Sequence, residues 1–109
     1  MLTLTIKKKW FDMILSGEKK EEYREIKPYY ETRFMNVYGI AWIYGGIKVK
    51  GRESPIKEIL FRNGYSKESP QFVAKCALHT GTGKEEWGAE PEKEYYVLKI
   101  HEITERRNC

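Results

Sequence analysis

The stretch "SGEKKEEYREIKPYY", residues 16 to 30, gathers four basic and four acidic side chains around one glycine, one proline and three tyrosines. On a strand, side chains alternate between faces, so Glu22 and Arg24 project together while Glu21, Tyr23 and Glu25 project to the other side. That spacing sets a carboxylate and a guanidinium ~7 Å apart along one face, with Lys19 at the entrance and free to swing to either side. Such a trio suits a polar, planar ligand. Arg24 offers a two-pronged fork for a phosphate or a base edge, Glu22 accepts from an amino or imino N–H, and Lys19 supplies a mobile point charge. The plainer alternative is a ladder of solvated ion pairs, each worth under about 1 kcal/mol.

The segments around this stretch must position it. "LTLTI" (2–6) alternates and is β-branched, which predicts a short strand. In residues 7–16, Trp10, Met13 and Ile14 fall with Phe11 and Leu15 at helical spacing, and Gly17 fits the left-handed position just past a helix end. Lys7, Lys8 and Lys9 crowd the first turn, where the helix dipole is already positive and each like charge costs a few tenths of a kcal/mol. Free backbone N–H groups beside lysines make an anion site; three solvated lysines are the other reading.

Residues 20–26 read as a second strand and 27–34 as a short helix with Pro28 at its first position. "GIAWIYGGIKVKG" reads as strand, glycine break, strand. "KEILFRNGYS" is a strand running into an Asn63-Gly64 turn, and "QFVAKCALHTG" and "EYYVLKIHEITE" are two longer strands. Between the last two, "TGTGKEEWGAEPEK" is too rich in glycine and charge for core and long enough for a functional loop. The prediction is an α+β domain in which about five to six strands curl into a small barrel beside two short helices; an open mixed sheet is the alternative.

A chain of 109 residues forms one domain, able to bury roughly two thirds of the surface its unfolded form exposes. No apolar run approaches the ~20 residues that a membrane span needs, and "MLTLTIKKKW" does not read as a signal peptide. Cys76 and Cys109, the latter the last residue given, point to a reducing, cytoplasmic setting rather than a structural disulfide. His79 and His101 lack partners at ligand spacing, so neither a metal nor a cofactor is expected. "TGTG" lacks the Gly-Lys-Ser/Thr ending of a phosphate loop.

The net charge of +4 is unevenly spread: residues 1–52 hold 11 Lys/Arg against 6 Asp/Glu, and residues 53–109 hold 9 against 10. A basic first half suits an anionic partner, nucleic acid first, with Lys7, Lys8, Lys9 and Lys20 on its phosphates; excess charge also serves solubility. Among the large rings, Trp10 and Trp42 read as core. Trp87, in a polar loop, either stacks on a base, for ~1–3 kcal/mol, or anchors the loop by burying its ring.

Gly17-x-Lys19-x-x-Glu22-x-Arg24 resembles the G-x-K-x-x-E-x-R signature of the ASCH domain family, which is related to the PUA domains of RNA-modifying proteins. "EEWGAEPEKEYYVLKIHEI" is similar to the end of small bacterial and phage-borne stand-alone ASCH proteins, so the resemblance spans about residues 2–104. It implies a single ASCH domain across 1–109: a PUA-like barrel whose cleft, lined by Gly17, Lys19, Glu22 and Arg24, takes RNA, a nucleotide or a modified nucleoside. Some members hydrolyse the acetyl amide of N4-acetylcytidine with a lysine, a threonine and a later glutamate, and others are reported to cleave RNA. Lys19 matches the catalytic lysine, Glu22 stands where those hydrolases carry threonine, and either Glu85 or Glu86 is the candidate for the distal glutamate. Whether the chain is an enzyme stays open on the resemblance alone.

Overall fold

The computed structural model describes residues 1–49 and 51–109. Five strands run in chain order as β1 (Thr3–Thr5), β2 (Glu21–Glu25), β3 (Lys57–Arg62), β4 (Gln71–Thr82) and β5 (Glu94–Arg107). They form one mixed sheet in the order β1-β3-β4-β5-β2, with β1 parallel to β3 and every other pairing antiparallel. Helices α1 (Lys8–Leu15) and α2 (Pro28–Tyr38) follow β1 and β2. The fold is thus α+β on five strands. Backbone pairing stops at β1 and β2, so the ladder is not closed into the barrel expected from the strand pattern. No described helix is long and apolar enough to cross a membrane.

Both helices pack on one face of the sheet. Phe11 and Ile14 of α1 and Phe34 and Tyr38 of α2 join Phe61, Phe72, Leu78 and Leu98 in the main core, with Phe11 and Phe72 rings 5.0 Å apart. A smaller cluster of Ala89, Tyr95 and Val97, with Tyr23 against it, lies on the other face beneath the 83–93 loop. Gly17, at φ 84°, takes the left-handed turn that stops α1 and points the chain into β2.

The structure corrects the reading of the second helix and of the run that follows it. The second helix runs to Tyr38 rather than ending near residue 34, because Phe34 and Tyr38, one turn apart, both enter the core and the Tyr38 hydroxyl donates to the Cys76 carbonyl at 2.8 Å. The aromatic and β-branched run after it is helical rather than strand, glycine break, strand: Trp42–Gly46 is a π-helical turn in which the Ile47 N–H reaches the Trp42 carbonyl at 2.9 Å. Tertiary packing overrides strand propensity here, since Trp42 and Ile43 are buried and the indole lies where a Gly46 Cβ would sit, 1.9 Å from Trp42 Cε3. Part of the expected second strand, Lys50, lies outside the described residues. The strand β3 does run into a turn at Asn63-Gly64, which opens the loop to β4, closed where the Asn63 N–H meets the Pro70 carbonyl at 2.9 Å.

Candidate functional site

β2 is an edge strand, and its free edge faces the corner between β1 and α1. Glu22 and Arg24 pair with Leu98 and Tyr96 on the helix-covered face, and Tyr23 pairs with Val97 on the other, the alternation expected from their spacing. The three motif side chains are nevertheless not a solvated ladder. Side-chain exposure is 1% for Lys19, 8% for Glu22 and 13% for Arg24. Glu22 is shared: its Oε1 lies 3.1 Å from Lys19 Nζ and its Oε2 lies 2.8 Å from Arg24 Nη2.

Arg24 also bridges the two edges of the sheet, donating from Nη2 to the Thr5 carbonyl at 2.8 Å and from Nη1 to the Tyr30 hydroxyl at 3.2 Å. Lys19 is held by its own backbone N–H on the Met13 carbonyl at 2.9 Å, which ties it to the end of α1. Its ammonium donates to the Trp87 backbone carbonyl and lies 4.3 Å from the Trp10 ring centroid and 5.3 Å from that of Tyr23. Two cations around one carboxylate, buried and framed by aromatic faces, form a net-positive array.

These groups form the floor of a cleft of about 500 Å³. Trp10, Tyr23, Tyr30, Trp87 and Tyr95 give it aromatic walls, and Lys7, Lys27 and Lys93 reach its lining. The 83–93 loop supplies one wall and is fastened to β2 and β5 by two phenols: the Tyr23 hydroxyl accepts the Lys84 N–H at 3.0 Å, and the Tyr95 hydroxyl accepts the Glu90 N–H at 2.9 Å. Gly88, at φ 101°, lies where a side chain would meet Trp10 at 3.0 Å, and so lets the loop close on that ring.

Burial lowers the pKa of the Lys19 ammonium, against the pull of the Glu22 carboxylate, and the nearby Arg24 charge lowers it further. For Arg24, burial works against the charge but Glu22 and the Tyr30 hydroxyl outweigh it and raise its pKa. Burial pushes the Tyr23 phenol above its ordinary range, helped by the Glu21 carboxylate that accepts its proton at 2.7 Å.

Lys19, Glu22, Arg24 and Trp87 therefore come together, and Lys7 joins them. Gly17 does not line the cleft; its part is the turn after α1. Lys8 turns to Asp12 at 2.6 Å, Lys9 packs 4.6 Å from the outer face of Trp10, and Lys20 is exposed, none of them in the lining. Glu85 and Glu86 sit on an exposed 3₁₀ turn (Glu85–Trp87) outside the lining, whereas Glu90, four residues beyond Glu86, is inside it. Lys27, Tyr30, Lys93 and Tyr95 are further lining residues that the motif did not indicate. For Tyr30 a signal was present, since a helix starting at Pro28 folds its first turn back over the end of β2.

No protein-family model, no curated protein and no solved structure matches the chain.

Proposed function

We propose that the cleft binds RNA or a single modified nucleoside, as an ASCH-type domain with a PUA-like curl of its sheet. The observation that carries the reading is the buried Lys19–Glu22–Arg24 array at the foot of a cleft walled by tryptophan and tyrosine rings. Each part answers a feature of a nucleobase. An aromatic wall stacks on a π-face for ~1–3 kcal/mol, and Glu22, with a lone pair left on each oxygen, accepts from an exocyclic amino group. Arg24 keeps its Nε–H and one Nη1–H for a base carbonyl. The lysines of the lining take phosphate. The Arg24 bridge between β1 and β2 supports the curled sheet, and the free, buried thiol of Cys76 supports a reducing cytoplasmic setting.

A second reading, hydrolysis of a nucleoside amide to amine and carboxylic acid, draws on the lowered pKa of Lys19, since a lysine acting as base must lose its proton. The deciding experiment titrates wild type, Lys19→Arg and Arg24→Lys with cytidine, N4-acetylcytidine and a short single-stranded RNA, and follows turnover of the acetylated nucleoside. Binding by wild type and by Lys19→Arg, with affinity reduced at least about tenfold in Arg24→Lys, is the expected result, because the fork geometry is lost in lysine. Turnover by wild type that vanishes in Lys19→Arg while affinity persists establishes the hydrolase instead. No binding by any variant ends both readings.

A further inference from the structure

A second cavity, of about 940 Å³, opens between the start of α2, the π-helical turn and the adjoining ends of β4 and β5. It is separate from the first cleft but shares a wall with it: Ile26 lines the second and its neighbours Glu25 and Lys27 the first, and Glu94 lines the second and its neighbours Lys93 and Tyr95 the first. We propose that this second cavity is a binding site for an alkylammonium ion, held by Tyr96, Glu31 and Glu94. The inference is independent of what the first cleft binds.

Tyr96 is the first observation. The residue is only 4% exposed, its ring packed edge-on against Phe34 at 5.2 Å, yet none of the hydrogen bonds among the described residues uses its hydroxyl. Tyr96 lines the cavity with its hydroxyl beside Glu31 and Tyr44, and burial, with the nearness of those two groups, raises the phenol pKa. The hydroxyl is an oriented polar group without a protein partner, on a side chain that packing has immobilised.

The charge of the lining is the second. Among the described residues Glu31 accepts only the Tyr44 hydroxyl, at 3.3 Å, and Glu94 joins no ion pair. Among the described residues Lys48 is the one cation of the lining and is in ion-pair contact with neither. Two carboxylates without a cation of their own suit a positively charged ligand. The apolar part of the lining fits the alkyl chain of such a ligand: Ile43 is buried, and Ile26 and Tyr44 are 47% and 55% exposed at the cavity, apolar surface left to solvent beside two carboxylates. An ammonium donates three N–H bonds, enough for both carboxylates and the Tyr96 oxygen, while the Tyr44 ring offers a cation–π face.

The test uses the full chain with n-butylamine, butane-1,4-diamine and 1-butanol as probes, followed by calorimetry and by backbone amide NMR. The amines are expected to bind at least about tenfold more tightly than the alcohol, because charge-assisted bonds carry the site. Shifts should centre on Ile26, Gly81 and Glu94. Glu94→Gln should weaken amine binding about tenfold and Tyr96→Phe several-fold. Both should keep a cooperative melt, which a control titration of each variant confirms. Equal affinity for amine and alcohol, no binding of either amine, or amine affinity unchanged in Glu94→Gln and Tyr96→Phe overturns the proposal. Loss of amine binding in Glu90→Gln with none in Glu94→Gln also overturns it, since the cation is then in the first cleft.

Discussion

Lys19 and Trp87, 68 residues apart in the chain, are joined ammonium to backbone carbonyl, and the same ammonium lies 3.1 Å from Glu22. One buried side chain thus ties the motif strand to the loop that walls the cleft. Glu22 is the shared ion-pair partner of two buried cations, so Glu22→Gln strands both and should destabilise by about 3–5 kcal/mol. Lys19→Met leaves the Glu22–Arg24 pair intact and orphans one carbonyl, for about 1–3 kcal/mol. Urea unfolding of the two variants should rank them in that order; the reverse order would mean that Glu22 is not the shared counter-ion.

Cys76 sets an alkaline limit on stability. Burial pushes its thiol from 9.0 up to about 12, so above pH 9 the unfolded chain ionises while the folded one does not. A raised acid pKa means stability is complete below the unfolded value and is lost as pH rises between the two. From pH 7.5 to pH 10 the loss from this group should be about 1.4 kcal/mol. Cys76→Ala is less stable throughout because it opens a cavity, but it should show a fall smaller by that amount; an identical pH dependence in the two proteins refutes the assignment.

The loop can be disturbed without touching a ligand. Gly88→Ala forces a side chain into a left-handed backbone and to within 3.0 Å of Trp10. The strain should cost about 1–3 kcal/mol. Because the displaced segment carries the Trp87 carbonyl, affinity for a nucleoside should fall with stability. A variant as stable as wild type, with unchanged affinity, would show that the loop does not shape the cleft.

The alternation of Glu22 and Arg24 against Tyr23 was legible because it follows from two-residue periodicity along Glu21–Glu25, whereas the place of Lys19 beside them was not, since it precedes the strand. The burial of the trio was not legible either, since six charges in the seven residues Lys19–Glu25 read as surface until Trp10 and the 83–93 loop are known to cover Lys19. The strands of the second half were legible for the same reason as β2, whereas Trp42–Gly46 was misread because its helical form depends on the indole lying over Gly46, a contact local propensity does not encode. Glu90 and Lys93 escaped notice because the loop geometry that turns them inward rests on the distant hydroxyl of Tyr95 and on Glu25.

The last prediction concerns which lysines meet phosphate. Lys7, Lys27 and Lys93 line the cleft, whereas Lys8 is engaged with Asp12 and Lys20 faces solvent. Three phosphate contacts on a single strand give a log–log salt slope near −2, at about 0.7 per contact. Lys27→Ala and Lys93→Ala should each flatten the slope by about 0.7, and Lys8→Ala and Lys20→Ala should leave it unchanged. Glu25 makes the assignment sharper. Its carboxylate lies 3.7 Å from Lys27 and 3.6 Å from Lys93, so it competes with phosphate for both. Glu25→Gln should therefore tighten RNA binding several-fold, since two exposed pairs of under about 1 kcal/mol each no longer need to be broken, while affinity for an uncharged nucleoside stays the same. If Glu25→Gln strengthens nucleoside and RNA equally, the lysines act through the shape of the cleft rather than through phosphate; if only Lys8→Ala and Lys20→Ala flatten the slope, RNA lies along the outer face of α1 and not in the cleft.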